Sequence, residues 1–216
     1  MQNADDAGRL TALIRLLIED VIAAQTRLRL KDDQTTRRDI VRASLAAMEG
    51  LTWLARDHVH KVLDHIDELT PIIDLALREQ AYTVSDNGRV QLQQRSVPLP
   101  TAIRLVASQA QHISPDLEVA FSVCGWADLQ HAVSIRNQIT HPRPGSDLAV
   151  SDEELDQIES GLFWLTATIN YLMARTHLTF MQHVEETKAL IRDLKSADPI
   201  ALKRYEEALN RPYSGG

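Results

Sequence analysis

TRRDIVRASLAAMEGLTWLARDHVHKVLDHI, residues 36–66, decides the fold. Ile40, Leu45, Met48, Leu51 and Leu54 run through it at helical spacing toward Ile66, which predicts one helix of about seven turns or more. Upstream, Leu10, Leu13, Ile14, Leu17, Ile18, Val21 and Ile22 recur three and four apart, so a first helix carries an apolar stripe that needs a partner surface. The polar run Asp32-Asp33-Gln34-Thr35 separates the two.

Downstream, Thr70-Pro71 offers a capping hydroxyl and a proline at the first helical position, predicting a short helix to about Ala81. Tyr82-Thr83-Val84 and Arg89-Val90-Gln91-Leu92 flank Ser85-Asp86-Asn87-Gly88, whose Asn-Gly pair supplies the backbone angles of a tight hairpin turn. No other strand is expected. Pro98 and Pro100 lead into a helix from Thr101 to about His112, and Ser114-Pro115 repeats the cap-then-proline signal for the next. That helix stops at His141 or just before, because Pro142 disfavours helical geometry in its predecessor and Pro142-Arg143-Pro144-Gly145 cannot continue it.

Ser151-Asp152-Glu153-Glu154 reads as a capping box opening a long helix, with Leu155, Ile158, Leu162, Leu165, Ile169 and Leu172 on its buried side and an end near Lys195. Asp198-Pro199 restarts a short tail helix ending near Arg211-Pro212, followed by Ser214-Gly215-Gly216. The expected architecture is all-α: an antiparallel helical bundle with a small β-hairpin insertion. An N-terminal helix occupies 1–35, the bundle 36–196 with its hairpin near 82–92, and a helical tail 197–216.

Composition agrees with a soluble globular chain. Of 216 residues, 44% are hydrophobic, 25% charged and 5% aromatic, the balance of an aliphatic core. The longest apolar stretch, Leu10 to Ala24, is broken by Arg15, Glu19 and Asp20, well short of the roughly 20 uncharged residues a bilayer span requires. No membrane partner is expected. Met1 to Asp6 places acids where a secretory leader would place basic residues, so the expected location is the cytoplasm. The single cysteine, Cys124, excludes an intrachain disulfide and reads as a buried core thiol.

A net charge of −7 argues against a general nucleic-acid coat and leaves room for a local basic site. Arg27-Leu28-Arg29-Leu30-Lys31, and Arg37-Arg38 with Arg42, read as solvated helix ends or as phosphate-tracking clusters.

Chemistry concentrates in Arg136-Asn137-Gln138-Ile139-Thr140-His141, at the predicted end of its helix. Asn137 and His141 stand four apart, so the amide is placed to orient the ring, and Arg136 stands in the same relation to Thr140. Arg136 and His141 point about 140° apart on an ideal helix, but a helix that is ending can bring the imidazole round. Arginine supplies a rigid fork of donors matched to phosphate oxygens, and an imidazole is a general acid or base near neutrality. Together they suggest phosphoryl chemistry without a metal or other cofactor.

Arg136-Asn137, three residues and His141 resemble the Arg-polar-xxx-His signature of HEPN domains (higher eukaryotes and prokaryotes nucleotide-binding), set between long antiparallel helices. The resemblance covers about Thr36 to Met181, and only the signature is specific. It implies a homodimer with a composite active site and a metal-independent endoribonuclease acting as a toxin or defence effector. In that reaction the RNA 2′-hydroxyl attacks the adjacent phosphate, leaving a cyclic phosphate and a 5′-hydroxyl. Carried over, the catalytic residues are Arg136 on the phosphate, His141 moving the proton and Asn137 positioning; Arg143 and Thr140 lie where they would bind RNA. Some family toxins are silenced by modification of a tyrosine two residues after the histidine. Here that position is Arg143, so an inhibitor protein would act otherwise. The alternatives are a non-catalytic HEPN module that binds a nucleotide or partner protein, and a purely structural helical dimer with Arg136 and His141 in internal bonds.

Other groups read more plainly. Asp57, His60 and Asp64 share one helical face, with His58 and His65 nearby; a His60–Asp64 surface pair is the simpler reading than a metal site, and no metal ligand set is assigned. Glu49 is either solvated or faces the helix bearing the motif. Trp53, Trp126 and Trp164 fall one per major helix and read as core anchors rather than base-stacking rings. His112, His131, His177 and His183 have no interpretable spacing, and neither a phosphate-binding glycine loop nor a Ser-His-Asp order occurs.

Overall fold

The computed structural model describes residues 2–143 and 148–210. Among them are seven helices and one two-stranded antiparallel sheet: α1 (Gln2–Leu30), α2 (Gln34–His65), α3 (Pro71–Leu77), β1 (Gln80–Val84), β2 (Val90–Gln94), α4 (Leu99–Ile113), α5 (Cys124–Thr140), α6 (Asp152–Lys195) and α7 (Pro199–Leu209). This is the all-α fold with a small hairpin that the periodicity predicts. The chain forms two compact units, Met1–Thr176 and His177–Gly216, and α6 runs from the first into the second. No helix among the described residues is long and apolar enough to cross a membrane.

In the first unit α2 is the central element and packs against α1, α3, α4 and α5. Asp33 caps it: Oδ1 accepts the amides of Thr35 and Thr36 at 2.9 and 3.0 Å, and the Thr36 hydroxyl accepts the Asp33 amide at 3.1 Å. The neighbouring Lys31 ammonium and then those amides hold the Asp33 carboxyl well below the usual carboxylate range. Val41, Ala47, Met48, Ala55, Val59 and Leu63 are fully buried on several sides of the helix. What remains open to water is a stripe through Arg42, Ala46, Glu49 and Trp53, continued by the half-buried Arg56 and His60. On α1, Val21 and Ala24 are buried, while Leu16 and Ile22 stay exposed.

Within the Arg37-Arg38-Arg42 cluster, Arg37 is largely buried architecture, while Arg38 and Arg42 make surface bonds, Arg42 staying exposed. Arg37 forks onto Asp32 at 2.6 and 2.7 Å, reaches Asp152 at 2.6 Å and donates to the Val150 carbonyl at 2.9 Å. Arg38 donates to the Leu148 carbonyl, and Arg42 pairs with Asp39. Gln34 adds reciprocal bonds to Val150, its carbonyl oxygen accepting the Val150 amide at 2.7 Å. The start of α2 is thereby fastened to the start of α6, where Ser151 and Glu154 form the expected capping box.

Two helix boundaries depart from expectation. The helix begun at Pro71 ends at Leu77 rather than near Ala81, because Glu79 takes a left-handed backbone (φ 54°). Its carboxylate is bound by Arg56 and by the Val97 amide, both at 3.0 Å, and these distant partners fix the turn into β1. Ser114-Pro115 starts no helix. The Ser114 amide closes α4 onto Ala110, its hydroxyl donates to the Arg175 carbonyl, and α5 begins only at Cys124. Cys124 is exposed rather than buried, since it is the first residue of that helix.

The hairpin pairs Tyr82 with Leu92 and Val84 with Val90, and Gly88 takes the positive φ (78°) of its turn. The four apolar side chains share one face of the ribbon and are exposed. In the second unit, Asp198 Oδ1 accepts the amides of Ile200 and Ala201 and caps α7. Pro144 and Gly145, and the expected tail end at Arg211-Pro212 with Ser214 to Gly216, lie outside the described residues.

The motif helix α5 is seated by close approach to α6. A Cβ on Gly161 would stand 2.8 Å from the backbone of Leu129, and one on Gly125 would stand 2.5 Å from Cβ of Trp164. Each helix offers a glycine to a bulky neighbour of the other, and Ser160 adds a 2.5 Å bond to Asp128. Trp126, 3% exposed, packs edge-on to Phe121 (4.8 Å) and against Trp164 (5.3 Å), with Arg104 over its ring. Gly161→Ala is therefore expected to lower unfolding free energy by roughly 1–3 kcal/mol in urea titration; unchanged or raised stability would contradict this packing.

Candidate functional site

α5 ends where the sequence places its end. His141 is the C-cap (φ −128°, ψ 59°), and its amide donates to the Asn137 carbonyl at 3.0 Å. Ile135 and Ile139 are buried and pin the last two turns to the core, which leaves Asn137, Gln138, Thr140 and His141 exposed and Arg136 half-buried. The alternation follows from helical pitch: anchoring one side of the turn presents the polar side to water.

Arg136 is held from α2. Its Nη2 donates to Glu49 Oε1 at 2.5 Å, with side chains 34% and 51% exposed. Glu49 thus faces the motif helix, the second of the two readings its position allowed. Among the described residues only Nη2 of Arg136 is engaged, so the pair aims the guanidinium and leaves the Nε and Nη1 donors for another acceptor. Thr140 donates its hydroxyl proton to the Arg136 carbonyl at 2.7 Å, the usual bond of a threonine back into its own helix. The imidazole of His141 has no hydrogen-bond partner among the described residues, and no bond joins it to the Asn137 side chain, although the two stand a turn apart. Arg143 is exposed on the segment that leaves the helix.

Beside the Glu49–Arg136 pair the exposed stripe of α2 forms one wall of two adjoining clefts. One, about 280 Å³, is lined by Glu49, Trp53, Arg56, Glu79, Ser96 and Val97. The other, about 600 Å³, continues past Trp53 and Arg56 to His60, Lys61, Arg78 and Gln94. Burial opposes ionisation of Glu79, but the Val97 amide and the Arg56 guanidinium outweigh it and hold the carboxyl below its ordinary value.

Trp53 corrects the expectation that all three tryptophans anchor the core. It is 47% exposed on the open stripe, whereas Trp126 and Trp164 pack together. Its sequence context, Leu51-Thr52 before and Leu54-Ala55 after, conceals this; its phase relative to Met48 and Ala55 is the signal that would have found it. The candidate metal cluster also resolves differently. His60 Nε2 bonds Asp74 Oδ1 at 2.7 Å rather than pairing with Asp64, Asp57 pairs with Lys61 at 2.8 Å, and Arg78 joins Asp74 at 2.8 Å. Among the described residues no group of three or more His, Cys, Asp or Glu side chains could hold a metal ion.

Comparison with protein-family models, with curated proteins and with solved structures finds no match.

The Glu49–Arg136 bond is partly exposed and screened, so it aims a side chain more than it supports the fold. Glu49→Gln should change unfolding free energy by less than about 1 kcal/mol in chemical denaturation; a larger loss would make the pair a fold element.

Proposed function

We propose that the chain is a metal-independent endoribonuclease of the HEPN kind, in which Arg136 binds the scissile phosphate and His141 transfers protons. The observation that supports this reading most is that one exposed helix end carries two complementary groups: a guanidinium aimed by Glu49 with two donors unengaged among the described residues, and an imidazole with no hydrogen-bond partner among them.

The reaction follows from those groups. The 2′-oxygen of a ribose attacks the adjacent phosphorus as an imidazole takes its proton, and the bond from phosphorus to the 5′-oxygen breaks as a protonated imidazole supplies a proton to that oxygen. Arg136 donors stabilise the charge added to the phosphate oxygens. The products are a cyclic phosphate and a 5′-hydroxyl. Base and acid are two separate histidines in this scheme, while each α5 end supplies one, so the working unit is a homodimer whose site combines two motifs. Exposed apolar surface on α1 (Leu16, Ile22) and on the hairpin (Tyr82, Val84, Val90, Leu92) supports association. Arg143 adds a cation two residues beyond the motif, Asn137 and Thr140 are exposed beside it, and the role in defence or growth control, with an inhibitor protein as regulator, goes with the family.

A non-catalytic module that binds a nucleotide or a partner protein is the alternative, and the Glu49–Arg136 pair favours it to the extent that it satisfies the guanidinium within the chain. Purified protein should cleave single-stranded RNA in excess chelator, and Arg136→Ala and His141→Ala should each reduce that cleavage by about 100-fold or more. Intact RNA with the unaltered protein, or undiminished cleavage by both variants, would rule the enzyme out.

A further inference from the structure

We propose that Trp53 is a stacking platform for an unpaired base of the RNA substrate, seated in the cleft that opens beside the Glu49–Arg136 pair. The inference rests on the ribonuclease reading and extends it, by placing the part of the strand that flanks the scissile phosphate.

Three observations converge on the ring. Trp53 is the one tryptophan of the chain with nearly half its surface open, and burying a tryptophan elsewhere in this fold is plainly feasible, as Trp126 shows at 3%. No aromatic ring stacks on it among the described residues, where Phe121, Trp126 and Trp164 pack on one another. It also borders both clefts and so stands at their junction rather than on a convex surface.

Position then gives the ligand its chemistry. Glu49 and Trp53 are one helical turn apart on α2, about 6 Å of rise, so a phosphate on Arg136 puts the neighbouring base within reach of the indole. An indole face stacks any base, so the platform itself sets no sequence requirement. Beyond the ring the larger cleft offers the amides of Gln80 and Gln94, which both donate and accept at base edges, and the cations Lys61 and Arg78 along a backbone path. Lys61 and Arg78 are already paired with Asp57 and Asp74, so the cleft has little excess positive charge and depends on stacking more than on phosphate attraction. A duplex keeps its bases stacked inside, so the fit is to a single strand.

The test uses the full-length protein and a fluorescein-labelled, 2′-O-methylated single-stranded oligonucleotide, which binds without being cleaved. Trp53→Ala should weaken binding roughly 5- to 100-fold, the loss of one base–aromatic stack, while Trp53→Phe retains most of the affinity. Thermal melting of Trp53→Ala close to that of the unaltered protein would exclude a folding defect. Equal binding by Trp53→Ala, or equal affinity of the unaltered protein for duplex and single strand, would overturn the proposal. If chelator-resistant, Arg136-dependent cleavage persists in those cases, the ribonuclease reading stands without it. Failure of the unaltered protein both to bind the oligonucleotide and to cleave RNA would overturn the two together.

Discussion

The structure depends on α2 being covered on nearly every side. From Ile40 to Leu63 its apolar residues outnumber what one face can hold, and helices α1, α4 and α5 supply the surfaces that remove them from water. At roughly 25 cal/mol per Å² of apolar area, this is the dominant favourable term in such a bundle. Burial so extensive leaves one narrow stripe unpacked, and that stripe carries Glu49, Trp53, Arg56 and His60 at intervals of four, three and four. The same helical period that lays down the core therefore lines the clefts, and a rigid element rather than a loop sets the spacing between them and the motif.

The second constraint is where α5 stops. Buried Ile135 and Ile139 fix its last turns, the two glycine contacts with α6 fix its depth, and Pro142 ends it, so Arg136 and His141 are presented by rigid neighbours. Glu49 then gives the guanidinium a direction across the gap from α2. On the proposed reading this carboxylate both aims Arg136 and competes with a phosphate for it, which balances a ready fork against indiscriminate anion binding in a chain of net charge −7.

Local signals were legible in the sequence and distant ones were not. The capping box at Ser151–Glu154, the Asn87-Gly88 turn and the Pro142 stop are set by residues within a few positions of each other, and each lies where reading predicts. The early end of α3 could not be read locally, because Glu79 is held by Arg56 and Val97, 23 and 18 positions away. Ser114 misleads for a similar reason: its hydroxyl has a partner at Arg175, across the bundle. The basic cluster at Arg37 looks available for phosphate until Asp32, Val150 and Asp152 are seen around it. Of the candidate site, the helix end was legible and Glu49 facing the motif helix was one of two readings, whereas its bond to Arg136 depends on how α2 packs against α5, and the exposure of Trp53 shows only in its phase along α2.

The most direct measurement is the chemistry of the ends on RNA treated with the purified protein. A metal-free attack by the 2′-hydroxyl predicts a cyclic phosphate, or the phosphate left on its hydrolysis, on the upstream fragment and a 5′-hydroxyl on the downstream one. Fragments ending in a 3′-hydroxyl and a 5′-phosphate would contradict the roles assigned to Arg136 and His141.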